Sequence, residues 1–157
     1  MYITQIDWDK DTMKVFYSSS VEQTEQFALK FAQKLKSGDV VAFTGGLGMG
    51  KTAFVRGALQ AFGDCDVSSP TFAIVNHYRC TPDIYHFDMY RVKGEDDLYS
   101  TGFYDYLDAG GILFIEWSEN IRELLPDDTI YVHIEPWDDG GRKITVEGDE
   151  RFDHIGH

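Results

Sequence analysis

The sequence predicts an α/β fold in three layers, with helices on both faces of a mixed, mainly parallel sheet. Three observations predict it. Residues 39–44 and 112–115 are short apolar runs of the kind that strands buried on both faces require. Helical stripes of apolar residues alternate with such runs, and the chain closes on a hairpin pattern that adds an antiparallel end.

Each element follows from local chemistry. Residues 14–17 (Lys-Val-Phe-Tyr) read as a first strand, and Ser18, Ser19 and Ser20 after them are helix N-cap types. Ser19 with Glu22, or Ser20 with Gln23, has capping-box spacing, and Val21, Phe27, Ala28, Phe31 and Leu35 form the stripe of a helix that Gly38 closes near position 36. The buried-type strand 39–44 runs straight into a glycine-rich loop. From Lys51, residues Phe54, Val55, Ala58, Leu59 and Phe62 share one helical face, with Gly63 as terminator. Residues 72–78 and 84–89 read as two strands separated by a turn around Thr81-Pro82, and the acidic stretch 95–107 as short helical turns. Strand 112–115 ends at Glu116, Ser118 is placed to cap a helix running to Leu125, and strands 129–135 and 143–147 flank the turn at 138–141.

At 157 residues, 43% of them hydrophobic, the chain suits one domain spanning 1–157, with a short C-terminal tail at about 148–157. The N-terminus carries acids where a secretory signal carries bases, and no 18-residue apolar run is present, so a cytoplasmic protein with no membrane partner is expected. Cys65 and Cys80, 15 positions apart, read as two reduced thiols. The net charge of −13 repels phosphate backbones, so any nucleic-acid substrate is expected to be held by a partner. The acids gather in 83–108 and after 127, which describes either a solvated negative face or a dock for a basic partner.

Gly45-Gly46-Leu47-Gly48-Met49-Gly50-Lys51-Thr52 fits G-x-x-x-x-G-K-[ST] at every defined position, between a buried strand and an amphipathic helix. Glycines let backbone N–H groups approach phosphate oxygens, and the helix N-terminus adds partial positive charge. Lys51 reaches the terminal phosphates and the Thr52 hydroxyl is a magnesium ligand type; Ala53 continues the cradle. The prediction is therefore a P-loop NTPase domain that binds ATP with Mg2+. Such sites also need a carboxylate at the end of a buried strand. Glu116 is the first candidate, delivered to the carboxyl edge by residues 112–115. Asp88, ending a similar run, either holds the metal's water, orients the attacking water, or pairs with Arg91. Thr71, in Ser69-Pro70-Thr71, is either a γ-phosphate switch or part of a rigid turn. His77, His86 and His133 read as structural, and Tyr78, Tyr85, Phe87 and Tyr90 as core rather than a base-stacking platform.

The order of four motifs, 45–52, Ser69-Pro-Thr-Phe72, His86-Phe-Asp-Met-Tyr-Arg91 and Glu116-Trp117, resembles the TsaE family over about residues 20–135. That resemblance implies a slow cytoplasmic ATPase of bacterial tRNA threonylcarbamoyladenosine synthesis, acting with the TsaB and TsaD proteins, which carry the tRNA and transfer the group. Carried over residue by residue, it implies magnesium ligands at Thr52 and Glu116, an essential aspartate at Asp88, a switch threonine at Thr71, Trp117 beside the nucleotide pocket, and Thr24 near the base. Catalytic candidates are thus Lys51, Asp88 and Glu116. One departure is Gly46, where relatives usually carry Asp. Two other readings share the P-loop: a small-molecule kinase, disfavoured by the acidic region after Arg91, and a nucleotide switch that needs no hydrolysis. No arginine finger is assigned within the chain; Arg79, Arg91 or a partner's residue are the candidates.

Overall fold

The computed structural model describes residues 13–45, 50–68, 75–153 and 155. Eight strands form one sheet: β1 (Met13–Ser18), β2 (Val40–Thr44), β3 (Asp66–Ser68), β4 (Val75–Arg79), β5 (Ile84–Asp88), β6 (Ile112–Glu116), β7 (Ile130–Trp137) and β8 (Gly141–Glu147). Their order is β1-β8-β7-β2-β6-β5-β4-β3. The four central strands β7, β2, β6 and β5 run parallel, and antiparallel strands flank them on both sides. The two strands read as continuously apolar, β2 and β6, are neighbours at the centre, with Val41, Phe43, Ile112 and Phe114 fully buried.

Helices α1 (Val21–Ala32) and α2 (Lys51–Leu59) cover one face. Phe54 sits with its ring centroid 5.4 Å from Phe31 and 5.5 Å from Phe43, so helix, helix and sheet meet in one aromatic cluster. Gly57 lets the two helices touch, since a Cβ there would strike the Glu25 backbone. The opposite face carries α3 (Glu95–Ser100), α4 (Phe103–Leu107) and the 3-10 helix Ser118–Leu124, whose Leu98, Phe103 and Ile121 pack with Phe87, Leu113 and Ile115. This is the three-layer α/β architecture expected.

Several details depart from the sequence reading. Helix α1 ends at Ala32 rather than near 36, because Lys34 and Leu35 donate to carbonyls three residues back, Phe31 and Ala32, and tighten the last turn. Ser20 is the N-cap, accepting from the Gln23 N–H at 3.1 Å, while Gln23 reaches back to the Ser19 N–H at 2.8 Å. Ser118 does not cap a helix. Trp117 holds the cap position in left-handed backbone at φ 60°, and the Ser118 hydroxyl instead donates to the Phe43 carbonyl, tying the 3-10 helix to β2. Residues 72–74 of the expected strand 72–78 lie outside the described residues, and β3 was not anticipated.

The cysteines are a disulfide, not two free thiols. Antiparallel β3 and β4 pair Asp66 with Arg79, so the next residues outward, Cys65 and Cys80, face each other with Cα atoms 4.9 Å apart. The segment after Glu147 also departs from a tail. Phe152 is 1% exposed and stacks on Phe31 at 4.9 Å, and Arg151 pairs with Asp39 at 2.8 Å.

Candidate functional site

Strand β2 ends at Thr44 and β6 at Glu116, both at the carboxyl edge of the parallel centre, where open α/β sheets leave a crevice. Gly45 leaves β2 at φ 122°, and a Cβ there would collide with the Ile134 carbonyl, so only glycine allows the loop to start against β7. Gly50, also left-handed at φ 96°, turns the chain into α2. Lys51, the first residue of that helix, is 5% exposed, with Nζ donating to the Gly45 carbonyl at 3.2 Å. The same Nζ stands 4.3 Å above the centroid of the Trp117 ring. The lysine is therefore held between the two ends of its loop and an aromatic face.

A cavity of about 410 Å3 opens over this helix start. Its lining includes Gly50, Lys51, Thr52 and Ala53 at the start of α2, Ser18, Ser20 and Thr24 from the α1 side, and Glu116, Trp117, Arg56 and Arg142. Thr24 is buried and shares a 2.7 Å hydrogen bond with the Ser18 hydroxyl, which fixes the α1 wall. A cavity of this size with a few convergent polar groups suits a small ligand. The free N–H groups of the helix start, Lys51 and Arg142 make it suited to an anionic one.

Glu116 is the acidic group of that cavity. Burial alone would raise its carboxyl, but the hydrogen bond from His86 at 2.6 Å and the charges of His86 and Lys51 carry it below the usual carboxylate range. An ionised carboxylate and the Thr52 hydroxyl, both lining this cavity, are hard oxygen donors, the set that magnesium prefers. Asp88 is the register partner of Glu116 on the neighbouring strand and accepts from the Tyr90 N–H at 3.1 Å. It does not line this cavity, and no ion pair joins it to Arg91 among the described residues. Of the sequence candidates, Thr24, Gly50, Lys51, Thr52, Ala53, Glu116 and Trp117 thus line one cavity, with Gly45 hydrogen-bonded at its edge. Gly46, Leu47, Gly48, Met49 and Thr71 lie outside the described residues.

Two residues were missed from sequence. His86, read as structural, holds Glu116; its two-residue spacing from Asp88 on one strand, which puts both side chains on the same face, was the available signal. Arg142 enters from β8 across the hairpin, and nothing in the linear pattern marks it. Arg79 and Arg91, the in-chain finger candidates, do not line the cavity.

The family model described as Threonylcarbamoyl adenosine biosynthesis protein TsaE matches residues 18–144. Among curated relatives, the tRNA threonylcarbamoyladenosine biosynthesis protein TsaE of Rickettsia typhi is 39% identical over 133 residues, covering 82% of this chain and 91% of its own. The proteins of the same name from Treponema pallidum and Bacillus subtilis are 32% and 36% identical over 130 and 126 residues, covering 82% and 79% of this chain and 96% and 78% of their own. The crystal structure of Bacillus subtilis YdiB superposes with a TM-score of 0.72 at 28% identity, covering 91% of this chain and 90% of that one.

Proposed function

Because this chain belongs to the TsaE family of tRNA threonylcarbamoyladenosine biosynthesis proteins, we propose that it is a magnesium-dependent ATPase serving that modification as an accessory subunit, with TsaB and TsaD as partners. The observation that carries the proposal is the convergence of Lys51, Thr52 and Glu116 on one cavity at a helix N-terminus. In this reading the triphosphate lies along the start of α2, where backbone N–H groups and Lys51 neutralise its charge, Thr24 borders the nucleoside end, and Trp117 lies beside the pocket next to Lys51.

By sequence, Gly46, Leu47, Gly48 and Met49 complete the cradle, and Thr71 senses the γ-phosphate. Thr52 and Glu116 would hold Mg2+, which when bound neutralises charge developing on the terminal phosphates. Lys51 shifts from the Gly45 carbonyl to the phosphate. Asp88, on the strand beside Glu116, orients the attacking water. His86 keeps the Glu116 carboxylate aimed and ionised. Positioning and electrostatics carry the rate, with no covalent step on the protein. The net charge of −13 fits a division of labour in which partners carry the tRNA, in the cytoplasm.

The test is ATP hydrolysis with magnesium by the purified protein, alone and with TsaB, TsaD and tRNA added. Slow turnover stimulated by the partners and lost in Lys51→Ala is expected. Turnover that the partners leave unchanged would move the reading to a nucleotide switch, and phosphate transfer to a metabolite would move it to a kinase.

A further inference from the structure

A second cavity, of about 490 Å3, meets the first at Thr52, Arg56 and Glu116 and opens on the other side of α2. Its remaining wall includes Gln60, Asp64, Tyr78 and His86. The two cavities differ in charge. The first gathers Lys51, Arg56 and Arg142 around Glu116. In the second the acids are Asp64 and Glu116; among the described residues its basic side chains are Arg56, already held by Glu25 through bonds of 2.6 and 2.9 Å, and His86, already bonded to Glu116 at 2.6 Å. Tyr78 faces the same space: its hydroxyl is pushed up by burial and then by the Glu116 charge.

We infer that this second cavity receives an arginine side chain of a basic partner protein, whose guanidinium reaches the boundary at Thr52 and Glu116. The planar cation fits a slot that offers the Tyr78 phenol ring to stack on and the Asp64 carboxylate to pair with. Charge favours the encounter, since the chain carries −13. The position also has a use. On the nucleotide reading above, on which this role rests, Thr52 marks where the terminal phosphate lies, and neither Arg79 nor Arg91 reaches either cavity. Arg142 lines only the first cavity and Arg56, at the shared boundary, is tied to Glu25, so a guanidinium arriving from the second cavity adds a transition-state cation on the Thr52 side.

The probe is a fluorescein-labelled tetra-arginine peptide, titrated by anisotropy into the full chain with and without a non-hydrolysable ATP analogue and magnesium. Asp64→Lys and Gln60→Trp alter exposed positions of the cavity wall, so neither should disturb the fold. Saturable binding that weakens about tenfold in both variants, with the affinity for a fluorescent ATP analogue unchanged, is expected. Absent binding, binding that both variants leave intact, or an equal loss in the distant control Asp96→Lys would overturn the inference. The analogue arm separates the two readings: if the analogue does not bind the wild type, the nucleotide reading fails, while the peptide arm with unloaded protein still decides whether the cavity takes a guanidinium.

Discussion

The Nε2 of His86 donates to the Glu116 carboxylate at 2.6 Å, bridging the neighbouring strands β5 and β6 just below the carboxyl edge of the sheet. Only 14% and 20% of the two side chains is exposed, so the bond is shielded from solvent. It sets the state of the candidate metal ligand before any ligand arrives.

Acid stability of the metal-free protein should report that bond. The Glu116 carboxyl is lowered from its ordinary value of 4.5 in the folded state, so its contribution is fully present above 4.5 and lost as pH falls through the lowered folded value. His86→Phe removes the donor and leaves a half-buried carboxylate, at a cost of about 1–3 kcal/mol near neutrality. Urea midpoints of wild type and His86→Phe measured from pH 7 to pH 3 should therefore converge only below 4.5. A gap that stays constant to pH 3 would mean the two side chains are not coupled.

Nucleotide binding should be visible at Trp117. The Lys51 ammonium lies 4.3 Å over its ring, and in the proposed function phosphates draw that ammonium away. Tryptophan emission should change on adding ATP with magnesium, and the change should vanish in Trp117→Phe although Trp8 and Trp137 remain. Emission that responds equally in the variant would place the reporter elsewhere.

Most of the fold was legible because its strongest signals are local. The apolar runs of β2 and β6, the glycine-rich loop between β2 and α2, and the stripe of Phe27, Ala28 and Phe31 each specify an element without help from distant residues. The candidate site was legible as far as it follows the P-loop. What stayed hidden depends on pairing across the sheet: Arg142 reaches the cavity only because β8 folds back along β7, and Cys65 meets Cys80 only through the β3–β4 register. Spacing in sequence carries no register information for such pairs.

The disulfide is checked by thiol counting. Protein unfolded in denaturant without reductant should show no free thiol, and two after reduction. Because the bridge spans 15 residues, Cys80→Ser should lower stability by about 3 kcal/mol on loop-closure entropy. Two free thiols in protein prepared without reductant would show that the facing cysteines stay reduced in solution.

The segment after Glu147 supports the core, and Phe152 is the residue through which it does so. Its ring fills the space beside Phe31 at 4.9 Å, and Gly148 approaches so closely that a Cβ there would meet that ring. Arg151, next in sequence, anchors the turn to Asp39 at the entry of β2, and Lys14 reaches Asp153 at 2.9 Å from β1. Phe152→Ala should leave a cavity against α1 and cost about 3–5 kcal/mol in urea unfolding. Arg151→Ala, whose ion pair is partly exposed, should cost about 1 kcal/mol or less. The order of the two effects is the informative part: a tail held on by charge would lose more from Arg151→Ala than from Phe152→Ala, and a core element loses more from the aromatic ring.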